Sequence, residues 1–168
     1  MHNQPERVIW TQCALLLTLV TAPISSAHAK EFRFGDLVLT HPRAFASREA
    51  PGEMIGVLGI RTNQLAGDTL TAVSVDSSVA STAVIQRVVV HDGVRTVVPV
   101  ARLKIEPGDA LQLSPEHVRL AFLGLKKRLE PGSTIEVELT FKTTGAVVAP
   151  FEVESLAPTR RARGADTR

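Results

Sequence analysis

Apolar and polar residues alternate along much of this chain with a period of two. The clearest run is Ile135 to Lys142, where Ile135, Val137, Leu139 and Phe141 interleave with Glu136, Glu138, Thr140 and Lys142. Successive side chains of a strand leave opposite faces, so this run predicts a strand with one face in a core and the other in water. Val148 to Ser155 repeats the pattern after a tight turn at Gly145, with Phe151 and Val153 inward and Glu152 and Glu154 outward, and is the expected hairpin partner. Turn signals recur at strand spacing through the rest of the chain: Pro51-Gly52, Ala66-Gly67-Asp68, Asp92-Gly93, Pro107-Gly108-Asp109, Ser114-Pro115 and Pro131-Gly132-Ser133. Short runs of Val, Ile, Leu, Thr and Phe lie between them, and no helical period of useful length occurs. The pattern predicts an all-β sandwich or barrel of about eight or nine strands.

The Asp92-Gly93 pair joins Thr82–Val90 to Val94–Val100 and is a strong hairpin signal between β-branched runs. Ala101–Ile105, Ala110–Leu113 and His117–Leu123 follow, separated by proline-containing turns. On the last of these, Arg119 and Ala121 leave one face while Val118, Leu120 and Phe122 take the other.

The N-terminus changes the picture of where the protein works. Arg7 stands in a short polar region, an apolar run extends from Ala14 to Ile24, and Ala27-His28-Ala29 precedes Lys30, the order read by signal peptidase. An apolar core of about a dozen residues is short of the ~20 that span a bilayer, so residues 1–29 are expected to be a cleaved signal peptide and not a stable membrane anchor. Cys13 precedes the apolar run, whereas a lipidated cysteine follows it, so a soluble periplasmic protein is expected. Cleavage removes the one cysteine and the one tryptophan, which leaves no disulfide and no thiolate metal site.

The remaining length suits a single domain over residues 30–156. A formal net charge of +2 suggests a basic protein, but Arg160, Arg161, Arg163 and Arg168 are concentrated in residues 157–168, which read as a disordered basic tail. The body itself is close to neutral, so no basic face for nucleic acid is expected.

Four positions have a distinctive spacing. Gln86, Val97, Arg119 and Ala121 are separated by ten, twenty-one and one residues, within a frame of Gly93-Val94, Pro99-Val100 and Leu123-Gly124-Leu125-Lys126. His41-Pro42-Arg43-Ala44-Phe45, Ala50-Pro51-Gly52 and Leu58-Gly59-Ile60 add to that frame. From about Leu37 to Val153 the chain resembles the periplasmic copper chaperones of the PCu(A)C family, whose motif is His-x10-Met-x21-His-x-Met. The resemblance implies a single Greek-key β-sandwich of the cupredoxin-like kind. It also implies a role in handling Cu(I), with a periplasmic partner such as a copper-handling or oxidase-assembly factor.

All four ligand positions are substituted. Cu(I) is held by soft thioether sulfur and neutral imidazole nitrogen, and an amide, two alkyl groups and a guanidinium supply neither. No metal is therefore expected at Gln86, Val97, Arg119 and Ala121, and no cofactor is expected beyond the copper that the resemblance implies. Arg119 beside Gln86 is instead expected to form a polar, hydrogen-bonded patch, with Val97 and Ala121 as packing. His41, His91, His117 and Met54 are the remaining soft or imidazole donors from which a relocated site would be built, although each histidine is expected at a turn or strand end. Asp36, His41 and Ser47 supply the residue types of a hydrolase triad, but no Gly-x-Ser-x-Gly elbow holds the serine, and an enzyme is not expected.

Overall fold

The computed structural model describes residues 30–155, so the expected signal peptide and the basic tail lie outside the described residues. Eleven strands make up the described chain: β1 (Glu31–Phe34), β2 (Leu37–Ala46), β3 (Met54–Thr62), β4 (Asp68–Val75), β5 (Ala80–His91), β6 (Val94–Pro99), β7 (Leu103–Ile105), β8 (Ala110–Gln112), β9 (Val118–Leu125), β10 (Thr134–Phe141) and β11 (Gly145–Glu154). The all-β expectation holds, and so does the Greek-key sandwich. The strand count is higher than expected: β1, with four residues, is too short for alternation to show, whereas the short β7 and β8 fall inside the apolar runs Ala101–Ile105 and Ala110–Leu113.

Hydrogen bonding runs in one path, β6-β5-β9-β3-β2-β11-β10-β4-β7, with β1 beside β2 and β8 beside β3. β2 is the joint between the two layers. Its register against β3 shifts between Thr40 and Arg43, where His41 takes a positive φ of 49°. The first half of β2 pairs with β1, and the second half pairs in parallel with the end of β11. His41 therefore sits at a bulge inside a strand, not at the strand end expected from sequence. The bulge re-aims the strand so that it serves both layers.

The path closes on itself where β4 packs across β5. Ile135, Val137, Leu139 and Phe141 of β10 are all buried, as the alternation predicts, together with Phe151 and Val153 of β11. Across the layers, Phe122 of β9 meets Phe151 edge-on, with ring centroids 6.2 Å apart and planes at 84°. Burial of each ring contributes about 1.5–3 kcal/mol. Gly56 makes this packing possible, since a Cβ there would lie 2.9 Å from the Phe122 ring.

A second, smaller apolar cluster forms on the opposite face of β3 and β9. Ile55, Val57 and Ala121 are buried there, with Phe45, Val84 and Leu123 packed around them. This outer face carries the positions of interest.

Candidate functional site

β5, β6 and β9 lie side by side, and their register fixes how the four spaced positions meet. Gln86 stands directly opposite Arg119, Val84 opposite Ala121, and Val88 opposite Val97. Opposed residues of antiparallel strands share a face, so all four positions look out from the outer face, as a converging ligand set would require. The Asp92-Gly93 turn that sets this register has φ values of 49° and 76°, the left-handed pair of a two-residue hairpin.

Arg119 occupies the centre of the face and is only 4% exposed. Its Nε donates to Gln86 Oε1 at 3.2 Å, its Nη1 to the Pro115 carbonyl at 3.3 Å, and its Nη2 to Glu49 Oε2 at 3.2 Å. The patch of Arg119 and Gln86 expected from sequence is present. Its third member, Glu49, was not anticipated, because it arrives from a loop seventy residues away in sequence.

That loop is shaped to deliver it. Ser47 Oγ accepts the backbone N–H groups of Glu49 and Ala50 at 3.2 and 3.1 Å, and the Ser47 N–H donates to the Glu53 carbonyl at 2.8 Å. Glu49 Oε1 also meets Arg95 Nη2 at 3.6 Å, and Arg95 in turn pairs with Glu116 at 2.8 Å. The chain Gln86–Arg119–Glu49–Arg95–Glu116 thus ties β5, β6, β9 and two loops together with balanced charge. Beside it a cavity of about 280 Å³ is lined by Phe45, Ser47, Ile55, Pro115, Glu116 and Arg119, among others.

Ala121 is fully buried in the outer apolar cluster, as expected. Val97 departs from the expected packing role, since it lies on the sparsely covered edge strand and remains 37% exposed. The donor set does not suit Cu(I). The amide oxygen of Gln86 is hard and already engaged by Arg119, two positions have no lone pair, and a guanidinium is a cation without an acceptor.

The four remaining soft or imidazole donors are dispersed. Met54 is buried in the main core. His91 is at the exposed hairpin tip, 3.3 Å from Asp92 Oδ2, and His41 is in the β2 bulge. His117 lies in the turn before β9, with its Nδ1 3.1 Å from Ser114 Oγ. No cluster of three or more His, Cys, Asp or Glu side chains arranged to hold a metal occurs among the described residues. Of the triad types, Ser47 serves as the turn acceptor described above.

The LpqE-like family model, described as that of a lipoprotein, matches residues 37–153. The chain belongs to the LpqE-like family. Solved structures place this LpqE-like fold among PCuAC domains, in agreement with the resemblance read from the sequence. The apo PCuAC domain from PmoF1 is 26% identical with a TM-score of 0.61, covering 76% of this chain and 100% of that one. The copper-bound PCuAC domain from PmoF2 is 17% identical with a TM-score of 0.60, covering 76% and 99%. CuI-DR1885 from Deinococcus radiodurans is 14% identical with a TM-score of 0.54, covering 77% and 83%. Comparison with curated proteins gave no match. The fold is therefore that of the cupredoxin-like PCuAC domains.

Proposed function

We propose that this LpqE-like protein is an exported member of the copper-chaperone fold class that has exchanged its Cu(I) site for an ion-paired arginine. The observation that carries this reading is the bonding of Arg119. Its guanidinium fills the place where two ligands would converge, and it is bonded to the side chain at a third position, Gln86, and to Glu49. A cuprous ion there would meet a buried cation and no sulfur or imidazole. Residues 1–29 act as the cleaved leader, and the domain of residues 30–156, followed by the arginine-rich residues 157–168, works in the periplasm.

Two roles fit such a protein. In the first it stays in copper handling, engaging a copper-handling or oxidase-assembly partner that brings the ion and its ligands. In the second it is a metal-free protein-binding module with no part in copper transfer. The charge balance of the Arg119–Glu49–Arg95–Glu116 network, two arginines against two glutamates, favours recognition of another protein over capture of an ion in either role.

Titration of the purified protein with Cu(I) against a chromophoric chelator tests the reading. The chelator is expected to keep all the copper. Stoichiometric, tight binding that disappears on replacing His117 or His91 would overturn the reading and place the site on relocated histidines.

A further inference from the structure

Seven large apolar side chains stand exposed among the described residues, and five of them, Val89, Val90, Val94, Val97 and Val98, crowd the β5–β6 hairpin. Val90 and Val94 are 62% and 65% exposed. β6 is also the end of the strand path, paired with β5 on one side and with no strand on the other among the described residues. An apolar, β-branched open edge is what natural sheets ordinarily shield with charge, proline or a covering element. Here Pro99 guards one end, and the Arg95 guanidinium is turned away to Glu49 and Glu116.

The hydrogen bonding shows which backbone groups are free. The Val88 N–H donates to the His117 carbonyl at 2.6 Å, on the β9 side, while the Ile85 carbonyl accepts from the Val100 N–H at 2.9 Å, on the β6 side. Both polar groups of a strand residue point the same way, and the direction alternates along the strand. Arg87, Val89 and His91 therefore face β6 and bond Val98, Thr96 and Val94, their register partners. Arg95, Val97 and Pro99 are left pointing outward, presenting two N–H groups and three carbonyls along the edge.

We propose that β6 pairs antiparallel with β6 of a second copy of this chain, about a two-fold axis at Thr96. In that register Arg95 and the partner's Val97 exchange two backbone hydrogen bonds, and the symmetric pair exchanges two more. Val94 then lies against the partner's Val98, and the symmetric contact repeats this, covering the most exposed valine of the strand. The strand is self-complementary in this register. A two-fold at Arg95 would instead set two guanidinium groups opposite each other, which is unfavourable. A two-fold at Val97 would carry Val94 past the strand's end. An interface of one strand pair is small, so the dimer is of the weak class and forms with rising concentration.

Sedimentation velocity on the protein purified after export, over about 5 to 500 μM, is expected to show a monomer–dimer equilibrium. Val97→Pro removes an outward N–H that makes no bond within the β5–β6 ladder, and Val94→Lys charges the apolar contact without touching the backbone. Each should weaken the dimer at least tenfold, and Val94→Lys decides the matter if Val97→Pro fails to fold. Thr96→Cys introduces the sole thiol of a mature chain that has lost Cys13, at a non-hydrogen-bonded pair whose Cα spacing of about 4.5 Å admits a disulfide. It should oxidise to a covalent dimer at least tenfold faster than Ser77→Cys at an exposed turn. A monomer at every concentration, with both cysteine variants oxidising alike, would overturn the proposal. An edge reserved for a different protein would give that same result.

Discussion

Asp68 and Arg119 are the two buried charges of the described structure, each 4% exposed, and they are held in different ways. Asp68 opens β4 and accepts four hydrogen bonds: from the Thr69, Thr143 and Thr144 N–H groups at 2.7, 2.9 and 3.0 Å, and from Thr144 Oγ1 at 2.6 Å. Three of these donors are backbone groups that face the carboxylate whatever side chains the turn carries. Arg119 relies mainly on two side chains, Gln86 and Glu49, brought by separate elements. Asp68 is thus part of the fold, stapling the β10–β11 turn to β4. Arg119 is part of a site, with partners that exist only because this sequence supplies them.

Replacing each residue should separate these cases, and the larger effect belongs to Asp68. Asp68→Ala removes the shared acceptor of three backbone N–H groups in a half-buried turn and should cost about 2–3 kcal/mol, measured by urea denaturation at neutral pH. Burial by itself raises the Asp68 carboxyl, but the Thr144 hydroxyl and the Thr143, Thr69 and Thr144 N–H groups outweigh it and hold its pKa below the ordinary carboxylate value. A pKa depressed on folding contributes stability that is fully present above the unfolded value and is lost as pH falls through the folded one. The stability gap between wild type and Asp68→Asn should therefore be constant near neutrality and close below about pH 4. A gap that stays open in strong acid would remove the staple from the account.

Arg119→Met tests the other half of the comparison. Removing one partner of a fully buried ion pair costs several kcal/mol because the remaining charge is stranded. Glu49 is not stranded, since its side chain is 47% exposed and water can solvate it. Methionine nearly fills the space, so the expected loss is about 1–2 kcal/mol, from lost hydrogen bonds to Gln86 and Pro115. Adding this one thioether should also leave Cu(I) affinity unchanged, because Val97, Ala121 and Gln86 still contribute no soft donor. Destabilisation as large as that of Asp68→Ala would make Arg119 a fold residue as well.

The sequence carried much of the fold and about half of this contrast. Alternation in Ile135–Phe141 and the Asp92-Gly93 turn announced two hairpins, because period-two burial and left-handed turn chemistry are local properties. The Gln86–Arg119 contact was legible once both positions were placed on neighbouring strands. Glu49 was not, because its arrival depends on the Ser47 turn and on the bulge in β2, and neither leaves a periodic trace. The bulge also explains the misplacement of His41: a His-Pro pair inside a strand reads as a strand end until the second half of β2 is seen pairing with β11. Val97 was misread for a related reason. Its apolar character suggested packing, and only the strand order reveals that β6 is an edge with little above it.

Glu49→Gln gives the smallest effect and the sharpest discrimination. Glutamine keeps an acceptor for Arg119 Nη2 and removes only the charge. A half-exposed carboxylate in an ion pair is worth about 0.5–1 kcal/mol, because water competes for it and salt screens it. Arg95 softens the loss further, since it keeps Glu116 at 2.8 Å. The expected outcome is a drop of about 0.5–1 kcal/mol in urea denaturation at low salt, falling toward zero near 1 M NaCl, where the screening length is only about 3 Å. A loss above about 2 kcal/mol that persists in high salt would mean that Glu49 neutralises Arg119 as a buried partner does. The outer-face network would then be as integral to folding as the Asp68 staple, and the distinction between the two buried charges would fail.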